Sequence, residues 1–133
     1  WVMETRPWRV GCEVLAAGGK RYIQHACGHV RDLVLRMKHH GVHAIESISP
    51  PPTGNITIAE ARNKIGGDFG IIGGIEPTAF LQLSEKELGA YTRRTIEEGL
   101  GGPFILANSD SCPPGVTVAK YTLVAEIART TPV

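Results

Sequence analysis

At 133 residues with 42% hydrophobic side chains, the chain has enough apolar material for one compact domain and no more. Its 14 basic and 13 acidic side chains leave a net charge of +1, too weak a field to gather nucleic acid or an anionic membrane. Three widely spaced cysteines, Cys12, Cys27 and Cys112, argue against a disulfide framework and for a reducing, cytoplasmic setting with free or metal-bound thiols. No charged-then-apolar leader is present, and the longest apolar stretch, around Phe69 to Ile75, is broken by glycines and too short to span a bilayer. The chain opens on Trp1 rather than methionine, so a piece of a longer polypeptide is expected.

Val10, Val14 and Leu15 suggest a helix ahead of the first strand, which is read over Arg21 to Ala26. After it, Val30, Leu33, Val34 and Met37 fall at i, i+3, i+4 and i+7, an apolar stripe ending at the C-cap glycine Gly41. His43 to Ile48 is the second strand, followed by Ser49-Pro-Pro-Pro-Thr-Gly-Asn55, a stiff polyproline-like connector. Thr57-Ile-Ala-Glu60 opens the next helix as a capping box, in which hydroxyl and carboxylate satisfy orphaned N–H groups, and Gly66 closes it. Asp68 to Ile75 is the third strand, where Gly73-Gly74 permits close approach of a ligand or of a packed helix. Ser84-Glu-Lys-Glu87 is a second capping box, on a helix ending at Gly99. Pro103 can only open the fourth strand, Pro103 to Asn108, because it has no N–H for the ladder. The last helix is read from about Thr117 to Arg129 with Val118, Tyr121, Ala125 and Ala128 inward.

Strands separated by helices pair in parallel through right-handed crossovers, so this order predicts an α/β sheet covered by helices. Periodicity alone does not separate an open sheet from half a barrel. In either case the ligand site lies at the carboxyl ends of the strands. Those ends are unusually polar: His25-Ala-Cys27-Gly28, Glu46, Gly73-Gly-Ile-Glu76-Pro77 and Asn108-Ser-Asp-Ser-Cys112. His25 and Cys27, two apart on an extended strand, point the same way. Cys112 comes from a turn at the same end, and an imidazole with two thiolates suits zinc. Glu46, on the neighbouring strand, is the candidate fourth ligand. Glu76 and Asp110 are candidate proton-transfer or substrate-orienting groups, although strand-end carboxylates equally serve as caps. His29 is placed behind the metal, His39, His40 and His43 as solvated helix-end histidines, and Cys12 in the core.

His25-Ala-Cys27-Gly28, then Ile72-Gly-Gly-Ile-Glu76-Pro77, a Ser84-led helix and Asn108-Ser-Asp-Ser-Cys112-Pro-Pro, in that order, resemble the second half of the uroporphyrinogen decarboxylase superfamily. The resemblance spans about Lys20 to Arg129 and is nearest to the corrinoid-linked, methylcobamide:coenzyme M-type methyltransferases, whose His-x-Cys…Cys zinc motif falls on His25, Cys27 and Cys112. It implies a single unit over residues 1–133 equivalent to the C-terminal four βα units of a (βα)8 barrel. It also implies a zinc-dependent methyltransferase working with a corrinoid protein and a small methyl donor or thiol acceptor, zinc activating the thiol or the leaving group. The alternatives are a metal-free decarboxylase or a non-catalytic half-barrel. Because four strands leave two open edges and such barrels usually take about 250 residues, a fragment or a homodimer is expected, burying Ile23, Ile45, Ile71 and Ile105.

Overall fold

The computed structural model describes residues 6–132 and follows the alternation of the hydrophobic pattern. Its elements are α1 (Arg6–Ala17), β1 (Ile23–His25), α2 (Val34–His39), β2 (Ala44–Ile48), α3 (Ile58–Ile65), β3 (Gly70–Ile75), α4 (Pro77–Gln82), α5 (Glu85–Gly99), β4 (Phe104–Asn108) and α6 (Val118–Thr130). All four strands pair in parallel in the order β1-β2-β3-β4. Because that order never reverses, each right-handed crossover carries its helices to the same face, the arrangement of a barrel segment rather than of a doubly wound sheet.

Both capping boxes form: Thr57 Oγ1 accepts from the Glu60 N–H while the Glu60 carboxylate accepts from the Thr57 N–H, and Ser84 and Glu87 repeat the pattern on α5. Helix α4 is absent from the sequence reading. Glu76 caps it and Pro77 opens it, a position where proline gives up no hydrogen bond. The first strand is shorter than expected because the Tyr22 N–H turns to His43 Nδ1 (3.1 Å) instead of the ladder. On α6 the inward face also differs: Ile127 is buried, whereas Val118 is 81% exposed and Ala125 and Ala128 lie at the surface.

The register settles which side chains share a face. Gln24, Ile45, Ile71 and Phe104 form one row across the sheet, and His25, Glu46, Ile72 and Ile105 form the next. Alternate residues point to opposite faces, so these rows look in opposite directions. Ile45 and Ile71 are fully buried in a core with Val34 and Met37 of α2 and Ile58, Ala61 and Ile65 of α3. Ile23 and Ile105, on the other face, are 53% and 59% exposed. The expectation that a partner or a missing half buries Ile23, Ile45, Ile71 and Ile105 together is therefore corrected: the first and last belong to the open face, the middle two are already buried in this chain's own helix-covered core.

At the end of β3 the paired glycines serve packing. A Cβ on Gly74 would lie 2.4 Å from Thr95 Cγ2 of α5, and its φ of +106° is one that side chains resist. Beside this join, Phe80, Leu88 and Ile75 form a second core.

Several surface carboxylates are held below their ordinary range: Glu60 by the Thr57 backbone N–H and then Arg31, Asp68 by Lys38, and Glu87 by Ser84. A carboxylate depressed in the folded state adds stability above its unfolded pKa, and that contribution is lost as pH falls through the folded value. The denaturation midpoint is therefore expected to hold from neutrality down to about pH 4 and to drop below it. Glu60→Gln should shallow that drop, and an unchanged acid limb would remove Glu60 from the account.

Candidate functional site

Strand β1 delivers His25 to its carboxyl end and β2 places Glu46 beside it in the same row of the open face. His25 Nδ1 and Glu46 Oε2 are in direct hydrogen-bond contact. An ionised carboxylate only accepts, so Nδ1 is the donor in this contact, and it is the neutral ring in this tautomer that has an Nε2 lone pair to offer. Pairing continues past His25: the Ala26 N–H donates to Glu46 O (2.6 Å) and the Ser47 N–H to Ala26 O (3.3 Å). The following residue, Cys27, is an exposed free thiol.

Cys112 lies in the loop after β4, also exposed and free. Its sulfur accepts a hydrogen bond from the Tyr121 hydroxyl of α6 at 2.6 Å. Tyr121 stacks on Phe80 with ring centroids 4.6 Å apart. Burial, reinforced by the Cys112 contact, pushes its phenol up to about 12, so the hydroxyl stays a donor at neutral pH. Asp110, in the same loop, is exposed, and Oδ1 accepts from the Ser111 N–H at 2.6 Å.

Glu76 is 4% exposed and occupied. Its carboxylate accepts from the Thr53 hydroxyl (3.1 Å), the Ala79 N–H (3.2 Å) and the Thr78 hydroxyl. It acts as the cap of α4 and as the anchor of the proline loop. With Pro50–Pro52, Leu83, Tyr91 and Arg94 it lines a cleft of about 350 Å³.

One residue absent from the sequence candidates organises these strand ends. Ser109 is fully buried; its hydroxyl donates to Ile48 O (2.6 Å) and accepts from the Gly74 N–H (2.9 Å), and its own N–H donates to Ile75 O (2.8 Å). The Ser47 hydroxyl returns a bond to Ser109 O. Three strands are thereby tied together where the β2–β3 register shifts. The signal was a small hydroxyl directly after the last residue of β4, Asn108, opposite a double glycine that lets it approach.

Of the sequence candidates, His25 and Glu46 are brought together, while Cys27, Cys112 and Asp110 stand on exposed loops at the same end of the sheet. Among the described residues no three His, Cys, Asp or Glu side chains gather as a ready metal cluster. An imidazole and two thiols are donors of the kind zinc takes; here the His25–Glu46 pair is formed and both thiols are exposed and free of disulfides. His29 is exposed, Cys12 is core as expected, and His39, His40 and His43 line a separate cleft with Cys12 beside α1.

Among the described residues no helix is long and apolar enough to cross a membrane. No family model and no curated protein matches the chain. A solved structure described as a methyltransferase from Methanosarcina mazei is similar in fold, with a TM-score of 0.70 at 15% sequence identity over 89% of this chain. The chain spans 33% of that structure's length. What it shares with that methyltransferase is the fold.

Proposed function

We propose that the carboxyl end of the sheet is a zinc site for methyl transfer, held by His25, Cys27 and Cys112 with Glu46 behind the histidine. The observation that carries this reading is the His25–Glu46 contact on the open face, flanked by free thiols on the loops after β1 and β4. When bound, zinc supplies the positive charge that keeps a substrate thiol ionised or eases departure of a leaving group.

This chain's own groups set that chemistry up. Glu46 fixes the His25 tautomer and directs Nε2 outward, the usual work of a carboxylate behind a ligating imidazole. Tyr121 orients the Cys112 sulfur. Asp110, exposed beside Cys112, is the group placed to exchange protons with substrate, whereas Glu76 holds the loop that borders the entrance. A corrinoid carried by a partner protein would be the source or acceptor of the methyl group, a reading supported by the sequence resemblance at His25, Cys27 and Cys112. Metal analysis after purification under reducing, chelator-free conditions tests it: about one zinc per chain supports the assignment. Metal-free protein would favour the decarboxylase alternative.

Glu46→Gln separates two roles for that carboxylate. As the partner of His25, its loss should weaken zinc binding about 10- to 100-fold while X-ray absorption shows an unaltered set of ligands. A changed ligand set would instead make Glu46 the fourth ligand, the role expected from its position in the sequence.

A further inference from the structure

The cleft of about 350 Å³ between the proline loop and the α4–α5 pair lies on the helix-covered side of the sheet, whereas the His25–Glu46 pair looks out from the open side. Its walls are apolar, made by Pro50–Pro52, Ala79, Leu83 and the Tyr91 ring. They are also held in place. The Tyr91 hydroxyl donates to Gly74 O (3.0 Å) and accepts from the Glu76 N–H (3.3 Å), which fixes the ring against the end of β3. The Thr53 hydroxyl, bonded to Glu76 and 2.7 Å from Ser49 Oγ, pins the proline loop opposite. Walls anchored in this way are formed before a ligand enters, so little ordering cost falls on binding.

The hydrogen-bonding capacity left over in the cleft is on the donor side. Glu76 lines it but is buried, with Oε1 engaged by Thr53 and Oε2 by Thr78 and Ala79. Arg94, whose side chain is 65% exposed, lies over the Tyr91 ring with its guanidinium carbon 5.4 Å from the centroid. Its acidic partner, Glu98, is 3.9 Å from Nε, beyond hydrogen-bond length, and lines a neighbouring cavity rather than this cleft. The guanidinium fork therefore borders the cleft with its N–H donors unused among the described residues, and the exposed Gln82 amide of α4 adds its own. At the edge of an apolar cleft, a carboxylate that accepts two parallel N–H bonds from such a fork is held more firmly than in open water.

Size and charge narrow the occupant. Small-molecule sites run from about 300 to 1,000 Å³, so this cleft is near the lower limit and is too small for a nucleotide. One guanidinium offsets one negative charge, and a phosphate dianion would meet the Glu76 carboxylate with its second charge unmatched. We propose that the cleft binds a short-chain organic monocarboxylate, its carboxylate on the Arg94 fork and its branched apolar body between the prolines and Tyr91. The site stands apart from the zinc reading of the open face and does not depend on it.

Titration of the 133-residue chain with isocaproate, followed by calorimetry and by amide chemical shifts, tests this. Binding is expected to saturate, with shifts at Ala79, Leu83 and Tyr91 and none at His25 or Glu46. Isocaproamide, which keeps the shape without the charge, and acetate, which keeps the charge without the apolar body, should each bind at least about 10-fold more weakly. Arg94→Gln should weaken isocaproate binding about 10- to 100-fold, the scale of hydrogen bonds to a charged group. Arg94→Lys should recover only part of that loss, because an ammonium offers no planar fork. The Arg94 side chain is largely in solvent, so both variants should keep the unfolding midpoint of the unsubstituted chain. Absence of saturable binding, or binding undiminished in Arg94→Gln, would overturn the proposal. Tighter binding of isoamylamine, which carries an ammonium in place of the carboxylate, would also overturn it by showing that Glu76 and not Arg94 sets the charge preference.

Discussion

Cys27→Ala and Cys112→Ala should each strip most of the zinc from the purified protein, with affinity falling well beyond the about 10- to 100-fold that loss of an outer hydrogen-bond partner costs. The expectation follows from the inventory of donors. Cys12 is 5% exposed, and burial, then the neighbouring Glu13, push its thiol up, which disfavours the thiolate a metal needs. Cys27 and Cys112 are the exposed thiols, both at the carboxyl end of the sheet. Removing either leaves His25 with a single sulfur and lowers the charge donated to the metal. Cys12→Ala, by contrast, should cost stability and leave zinc content unchanged. Metal analysis after dialysis distinguishes these results, and full zinc occupancy in both exposed-thiol variants would place the metal elsewhere. Methyl transfer should fall in parallel with zinc; activity that survives metal loss would detach the reaction from this site.

The parts legible in the sequence were those governed by local rules. The capping boxes at Thr57 and Ser84 form because their donors and acceptors lie three residues apart, and parallel pairing follows from helices between strands. The placement of His25 beside Glu46 was legible because consecutive parallel strands are neighbours in the sheet. What escaped was set by long-range packing. Helix α4 is short and has no apolar period of its own; it exists because Glu76 and Pro77 start it and Phe80 buries against Ile75 and Leu88. The face of α6 was misread because its alanines border a groove rather than a core. Ser109 escaped because its importance depends on Ile48 and Gly74, which lie 61 and 35 residues away.

Arg62→Ala should destabilise the fold by about 3 kcal/mol, at the scale of lost hydrogen bonds to a charged donor plus carbonyls left unpaired. Arg62 extends from α3 to the amino-terminal end of the sheet. One guanidinium nitrogen donates to Gly66 O (3.1 Å) and Phe69 O (2.8 Å), the other to Gly99 O (3.3 Å) and Pro103 O (3.1 Å). These carbonyls flank β3 and β4, where Gly66 ends α3 and Gly99 ends α5, so one side chain gathers two helix ends and two strand starts. Nε is buried without an acceptor, and burial lowers the pKa of the group, yet a guanidinium remains charged at any ordinary pH. Its four bonds therefore offset a real desolvation cost. Arg62→Lys should recover only part of the loss, because an ammonium on a flexible stem cannot span acceptors that a planar fork reaches in two directions. Denaturant midpoints measure both substitutions, and a loss below about 1 kcal/mol for alanine would show that water replaces the clamp. This clamp lies at the end of the sheet opposite His25 and Cys27, the end where barrels build stability rather than chemistry. Zinc content of the folded Arg62→Ala protein should consequently match that of the unsubstituted chain, even as its denaturation midpoint falls.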